Sequence, residues 1–214
     1  VGAGYVFCDA YLSEDQALQE IRQWHGPAVE PIRTIRFEAG YFTEVWRGNV
    51  MAIGLASGFV EPLEATSIGQ TLSQLEVFAR LMRQQRWVVS RQQVDYFNQQ
   101  HRQAWEGIGD FIRMHYDTSR QDTPFWRATA TLPQSDRYRE LKQCLQLRTP
   151  RPQDFYGHEM DTNLQFGVYS WFAVGQAMGL IAPEATVPDL LALNAAQRQQ
   201  LALQLAEVKN RYRL

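Results

Sequence analysis

With 214 residues, 45% of them hydrophobic, and a formal charge of -2, the chain can bury one good core or two modest ones, and it carries no net field that would gather nucleic acid or an anionic membrane. Its two cysteines, Cys8 and Cys144, have no framework spacing, which argues against a disulfide scaffold or a zinc site and makes a reducing cytoplasm the default compartment. No apolar run approaches the ~18 residues a membrane-crossing helix needs, and the first residues lack a basic region followed by a long apolar one.

In chain order, Gly4 to Asp9 reads as a strand. Ser13 with Gln16 is a capping box opening an amphipathic helix through Ala17, Leu18, Ile21 and Trp24, which Gly26, Pro27 and Pro31 end. Ile35 and Phe37 alternate with Thr34, Arg36 and Glu38, predicting a half-exposed strand from about Arg33, with Tyr41 to Trp46 and Val50 to Ile53 as its neighbours. Val50 to Ile53 has the apolar character of a buried strand.

Residues 46–69 then combine a strand, a small-residue turn and a helix start with two carboxylates, Glu61 and Glu64. Gly54 to Gly58 is too rich in small residues for an ordinary helix start, so backbone can approach a ligand, or simply a neighbouring chain segment, closely there. Ser67 and Gln70 have capping-box spacing, and the helix begins near Thr66 or Ser67. Its apolar positions Ile68, Leu72, Leu75, Phe78 and Met82 predict a far end that packs and a near end that stays free. The first amides would attract an anion, yet Glu64 already supplies one. Either Glu64 is the helix's own counter-charge, or it shares the site with something catalytic.

From Ser67 onward the pattern is almost wholly helical. Ser90 and Gln93 repeat the capping box before a long helix with Val94, Phe97, His101, Trp105, Ile108, Ile112 and His115 on one face. His101 reads as a core histidine satisfied by a hydrogen bond, whereas His115 abuts a polar and aromatic segment. There Asp122 with Pro124 predicts a helix start, and Phe125 and Trp126 present two large aromatic faces, either as a pocket wall or as ordinary core. The arginines Arg83, Arg86, Arg91 and Arg102 lack an aromatic interleave and read as a solvated helix face. A short helix from Ser135 through Leu147 stops at Pro150 and Pro152. Phe166 to Met178 is helical up to Gly179 and Pro183, and Ala195 to Tyr212 closes the chain as an amphipathic helix.

The run GLASGFVEPLEATSI from Gly54 to Ile68, preceded by Trp46 and Asn49, resembles the signature of the flavin-dependent halogenases of the tryptophan halogenase family. The resemblance extends over essentially the whole chain, which looks like only the C-terminal part of such an enzyme. The G-x-G-x-x-G fingerprint, the W-x-W-x-I-P motif and the early catalytic lysine of the family have no match here; the only lysines are Lys142 and Lys209, in late helical stretches. The implied fold class is α+β, mostly α. Residues 1–65 would be the C-terminal piece of a glutathione-reductase-like FAD-binding domain, and residues 66–214 a helical substrate-binding region.

The resemblance also implies roles. Glu64 takes the catalytic carboxylate position, Thr66 and Ser67 the halide site through their backbone, and Leu55 and Ile68 the flavin contacts. His115, Tyr116, Gln121, Phe125 and Trp126 fall on the aromatic substrate pocket. The tryptophan-specific members usually have Gly where this chain has Ser67, and they bind the amino-acid end of the substrate with a Tyr-Tyr pair and a Glu; here those places hold His115, Tyr116 and Gln121. A neutral amide is a poor partner for an ammonium, so an indole-like substrate without that group is favoured over free tryptophan. The implied co-reactants are reduced FAD from a separate flavin reductase, O2, and chloride or bromide; a homodimer is an allowed assembly. Two other readings stand beside this one: an inactive helical binding or scaffold fragment, and an FAD monooxygenase. The monooxygenases place an Asp where this chain has Leu55, which favours the halogenase.

Overall fold

A serine that accepts from the backbone three residues on fixes the first helix. In the computed structural model, which describes residues 4–84, 86–155 and 165–212, Ser13 and Gln16 form the expected capping box on α1 (Glu14–His25), which ends at Gly26 with φ +98°. Of its apolar positions only Ala17 is buried, and Trp24 is 83% exposed. The segments 4–9 and 33–39, expected as strands, form no ladder among the described residues, and the chain already turns at Asp9, where the Tyr11 and Leu12 N–H groups both bond the Cys8 carbonyl at 3.0 Å. Alternation alone cannot make a strand; a neighbour must supply the hydrogen bonds.

The strands that do form are short. β1 (Gly40–Tyr41) pairs antiparallel with β4 (Gly58–Phe59), and β2 (Trp46–Arg47) with β3 (Val50–Met51) around a turn in which Gly48 takes φ +59°. β3 was expected to be buried, but Val50 is 67% exposed because the hairpin turns only one face inward. β4 was read as part of the small-residue turn, and the reason for its glycine is steric. A Cβ on Gly58 would come within 2.6 Å of the Tyr41 Cβ and 3.0 Å of the Trp105 ring. Gly58→Ala therefore lowers unfolding stability by about 1–3 kcal/mol through overpacking. An unchanged urea midpoint would show that Tyr41 and Trp105 yield freely.

Two long helices carry the rest of this region, α2 (Thr66–Gln84) and α3 (Arg91–His115), after a short 3-10 turn at Gly54–Ala56. α3 opens with the Ser90/Gln93 capping box, and its stripe Val94, Phe97, His101, Trp105, Ile108, Ile112 is buried as the periodicity predicts. α2 behaves differently at its two ends. Val77, Leu81 and Met82 pack with Val45, Trp46, Val94 and Phe97, while at the near end Thr66, Gln70 and Gln74 face inward and Ile68 and Leu72 stay 75% and 61% exposed. Ser67 does not cap this helix with Gln70. The helix already begins at Thr66, Gln70 is buried, and the Ser67 carbonyl accepts from Thr71 Oγ1 at 2.7 Å.

Two buried amides fasten the strands to these helices. Asn98 Oδ1 accepts from the backbone N–H groups of Val45 (3.0 Å) and Trp46 (2.9 Å) while its Nδ2 donates to the Trp46 carbonyl, and Gln74 Nε2 donates to the Ala52 carbonyl at 3.0 Å. Buried polar backbone is thereby satisfied without a wider sheet.

The described residues divide into two compact units, 4–134 with 165–166, and 135–155 with 167–212. Within the first unit β2 lies on α3 and the Gly54–Ala56 turn lies on α2. α4 (Pro124–Thr129) completes that unit. The second holds α5 (Asp136–Leu147), capped by Ser135, α6 (Val168–Ala177), α7 (Val187–Ala192) and α8 (Ala195–Tyr212). α7 was not foreseen. The core of this second unit gathers Tyr138, Leu145 and Phe155 with Trp171. The fold class is α+β, mostly α, and no helix among the described residues is long and apolar enough to cross a membrane.

Candidate functional site

Pro62 begins a tight turn in which the Ala65 N–H bonds the Pro62 carbonyl at 3.0 Å. To make that turn and still enter α2, Glu64 and Ala65 take φ values of 63° and 50°. Left-handed backbone at a residue with a Cβ costs of order 1–3 kcal/mol and persists only where the surroundings hold it. Here the surroundings include α3. His115, at its last turn, is 2.9 Å through Nε2 from Glu64 Oε1, and its Nδ1 is 2.9 Å from the Phe111 carbonyl. Glu64 is thus turned toward α3 rather than over the first amides of α2.

The start of α2 is enclosed from another side. Thr66 is buried, its carbonyl accepts from Gln165 Nε2 at 2.8 Å, and its hydroxyl has no partner among the described residues. A Cβ on Gly69 would meet Gln165 Nε2 at 2.6 Å, so Gln165 seats against a bare stretch of helix. The first amides of any helix lack intrahelical acceptors, and the helix dipole adds positive potential there. Leu55, on the Gly54–Ala56 turn, and Ile68 remain largely exposed, so both offer apolar surface at this end of α2.

Next to Glu64 and His115 lies a group of aromatic rings. Tyr116 sits 6.0 Å from Phe125 and 6.1 Å from Trp126, and the Phe125 and Trp126 rings meet edge to face at 5.1 Å. Both rings are half-buried. Thr123, not Asp122, caps their helix by accepting from the Trp126 N–H at 3.3 Å. Asp122 is instead held by Arg120 through two bonds of 3.1 and 2.7 Å, a charge-assisted fork that outcompetes capping. Gln121 has an exposed side chain, and its carbonyl accepts from Arg127 at 2.8 Å.

Three further residues belong to this cluster and were not singled out for it. Glu61 Oε2 accepts from the Tyr116 hydroxyl at 2.5 Å, and Glu61 Oε1 is buried without a partner among the described residues. Burial, then the hydrogen bond to Glu61, pushes the Tyr116 phenol well above its ordinary range. It is held as a hydrogen-bond donor. Tyr11 packs edge to face on Phe125 at 5.8 Å, and the Arg120 guanidinium lies 4.4 Å over Trp126. Glu61 had a usable signal, since it stands three residues before Glu64; Tyr11 had none in the local sequence. His101 lies apart from this cluster, beside Trp105 and Tyr41, where burial lowers its pKa to about 4 against smaller opposing effects from the Phe42 and Ser57 backbone. It is a neutral core residue. Among the described residues no group of histidines, cysteines or carboxylates could hold a metal ion, and Cys8 and Cys144 are free.

The arrangement can position an acid or base, Glu64, between an enclosed helix start and a half-buried aromatic wall. The family model described as tryptophan halogenase matches residues 1–194. The 7-chloro-L-tryptophan 6-halogenase KtzR of Kutzneria sp. (strain 744) is 32% identical over 205 residues, 94% of this chain and 39% of that protein. Among solved structures, the thermophilic tryptophan halogenase Th-Hal from Streptomycin violaceusniger superposes with a TM-score of 0.80 at 27% identity, covering 97% of this chain and 40% of its own. BrvH, a flavin-dependent halogenase from Brevundimonas sp. BAL3, gives a TM-score of 0.72 at 32% identity, with 96% and 39% covered. The chain thus spans less than half the length of the relatives it matches.

Proposed function

Since the chain belongs to the tryptophan halogenase family, we propose that it is the C-terminal part of an FAD-dependent enzyme that chlorinates or brominates an electron-rich, indole-like aromatic substrate. The observation that carries this reading is the position of Glu64, aimed by a left-handed turn and by His115 at the junction of the α2 start and the aromatic wall. Residues 1–65 would then complete a flavin domain, and residues 66–214 form the substrate side. Reduced FAD, delivered by a separate flavin reductase and reacting with O2, would supply the oxidising power that turns halide into an electrophilic halogen.

The residues present fit these groups. The buried, unpartnered Thr66 hydroxyl and the first amides of α2 offer donors for a halide at Thr66 and Ser67, and Glu64 does not fill that place. Exposed Leu55 and Ile68 give the apolar surface a flat isoalloxazine ring requires. Tyr116, Phe125 and Trp126 position a flat heterocycle by shape and ring quadrupole, with Gln121 at the outer edge and His115 at the Glu64 end. When a halogen bonds to a ring carbon, the C–H bond there must break, its electron pair returning to the ring. Glu64 takes that proton, a task suited to a carboxylate held at a fixed angle. The lysine that the family resemblance implies comes early in the family's sequence, whereas Lys142 and Lys209 come late, in α5 and α8, so it would be supplied by the remainder of the parent protein.

The test is product analysis with the native gene product, reduced FAD, O2, bromide and a panel of indoles. Replacement of one ring hydrogen by bromine is expected; a hydroxylated ring would favour the monooxygenase instead. Within this reading Gln121→Glu restores a carboxylate for an ammonium and tightens binding of free tryptophan several-fold, checked by calorimetric titration. No gain would remove Gln121 from the amino-acid end of the pocket.

A further inference from the structure

We infer that His115 is a positioning residue for Glu64, fixing which carboxylate oxygen faces the substrate. The inference rests on the functional reading above, and it starts from hydrogen-bond bookkeeping. The Phe111 carbonyl can only accept, so His115 Nδ1 must carry a hydrogen to bond it at 2.9 Å. At Nε2, also 2.9 Å from its partner, a single proton has to lie between the ring nitrogen and Glu64 Oε1. Either way Oε1 is committed to His115, and Oε2 is the oxygen left to act on a substrate.

The surrounding geometry explains why such a hold is needed. Glu64 sits on the less buried side of the pair, with 36% of its side chain exposed against 15% for His115. A glutamate has three rotatable side-chain bonds, and a backbone at φ 63° sets only its point of departure. The imidazole, by contrast, is doubly fixed, by the Phe111 carbonyl and by packing edge to face on the Phe111 ring at 5.1 Å. Phe111 in turn stacks on Phe166 at 3.9 Å. Rigid core is thus carried through one ring to the carboxylate. The neighbouring carboxylate, Glu61, is held separately by Tyr116, so the two acids of the turn have distinct partners on consecutive residues of the α3 end.

The experiment compares H115F, which keeps a ring but no donor, with H115Q, whose amide N–H reaches the same distance. In the native gene product H115F lowers kcat for aromatic halogenation by about 10- to 100-fold, a far larger effect than any on the KM for the aromatic, and H115Q recovers most of that loss. Nitrogen-15 NMR of the imidazoles supplies a readout free of activity: His115 shows a protonated Nδ1, and its Nε2 signal moves in E64Q while the signals of His25 and His101 hold. A raised KM with normal kcat in H115F, or an Nε2 signal indifferent to E64Q, overturns the positioning role while leaving the halogenase reading intact. A wild type that halogenates no aromatic overturns the reading itself, and this role with it.

Discussion

Glu64→Gln in the native gene product lowers halogenation kcat by about 100- to 10,000-fold, the range set by loss of a positioned acid-base group, and leaves FAD affinity unchanged. The amide keeps the size of the carboxylate and can still pair with His115 Nε2, donating its N–H to a neutral ring or accepting from a protonated one, so the turn at Pro62 and the start of α2 stay as they are. What it loses is the capacity to take a proton from the ring carbon. The proposed flavin contacts, Leu55 and Ile68, are apolar and exposed and do not depend on a charge at residue 64. Parallel single-turnover product assays and flavin fluorescence titrations check both halves. Full turnover in E64Q removes the role given to this residue.

Trp105→Ala costs about 3–5 kcal/mol of unfolding free energy, the loss expected when a buried indole leaves a cavity. Trp105 is 2% exposed, stacks on Tyr41 at 6.0 Å with ring planes 8° apart, and lies against the position where Gly58 has no side chain. It is the floor on which β1 and β4 rest, and β4 leads directly to Glu61 and Glu64. The variant should therefore lose activity at temperatures where the wild type is stable, and a thermal or urea melt separates this from a catalytic defect. A loss below about 1 kcal/mol would mean the site does not depend on this packing.

Helices were legible wherever a local device set them. The Ser13 and Ser90 capping boxes, the Gly26 and Gly179 stops and the α3 stripe all involve residues within four positions of one another. Strands were legible only in part: β3 falls within the apolar run Val50 to Ile53, but ladder partners are set by distant groups. Asn98 fixes Val45 and Trp46 from more than fifty residues away, and nothing in the sequence around Ile35 shows that it has no ladder. The near end of α2 was read correctly as free on its apolar side, although its inward face of Thr66, Gln70 and Gln74 breaks the simple rule that apolar residues go inside.

The site divides in the same way. The signature run singled out Glu64, Thr66 and Ser67 as one corner, and the family resemblance, rather than any spacing, singled out Tyr116, Phe125 and Trp126 as an aromatic group. The pairing of Glu64 with His115 joins residues fifty-one positions apart, and that of Glu61 with Tyr116 joins residues fifty-five apart. Only the packing of the Pro62 turn against the end of α3 brings them together. The expected caps failed for different reasons: Arg120 holds the Asp122 carboxylate, whereas Ser67 lies inside a helix that already begins at Thr66.

The most direct measurement is bromide anomalous scattering from crystals of the FAD-loaded native gene product. A single strong peak against the Thr66 and Ser67 amides, on the side of the α2 start away from the Glu64 carboxylate, is the predicted result. A bromide bound elsewhere, with the Glu64 carboxylate lying over those amides as a helix counter-charge, would contradict the halide site and the division of labour built on it.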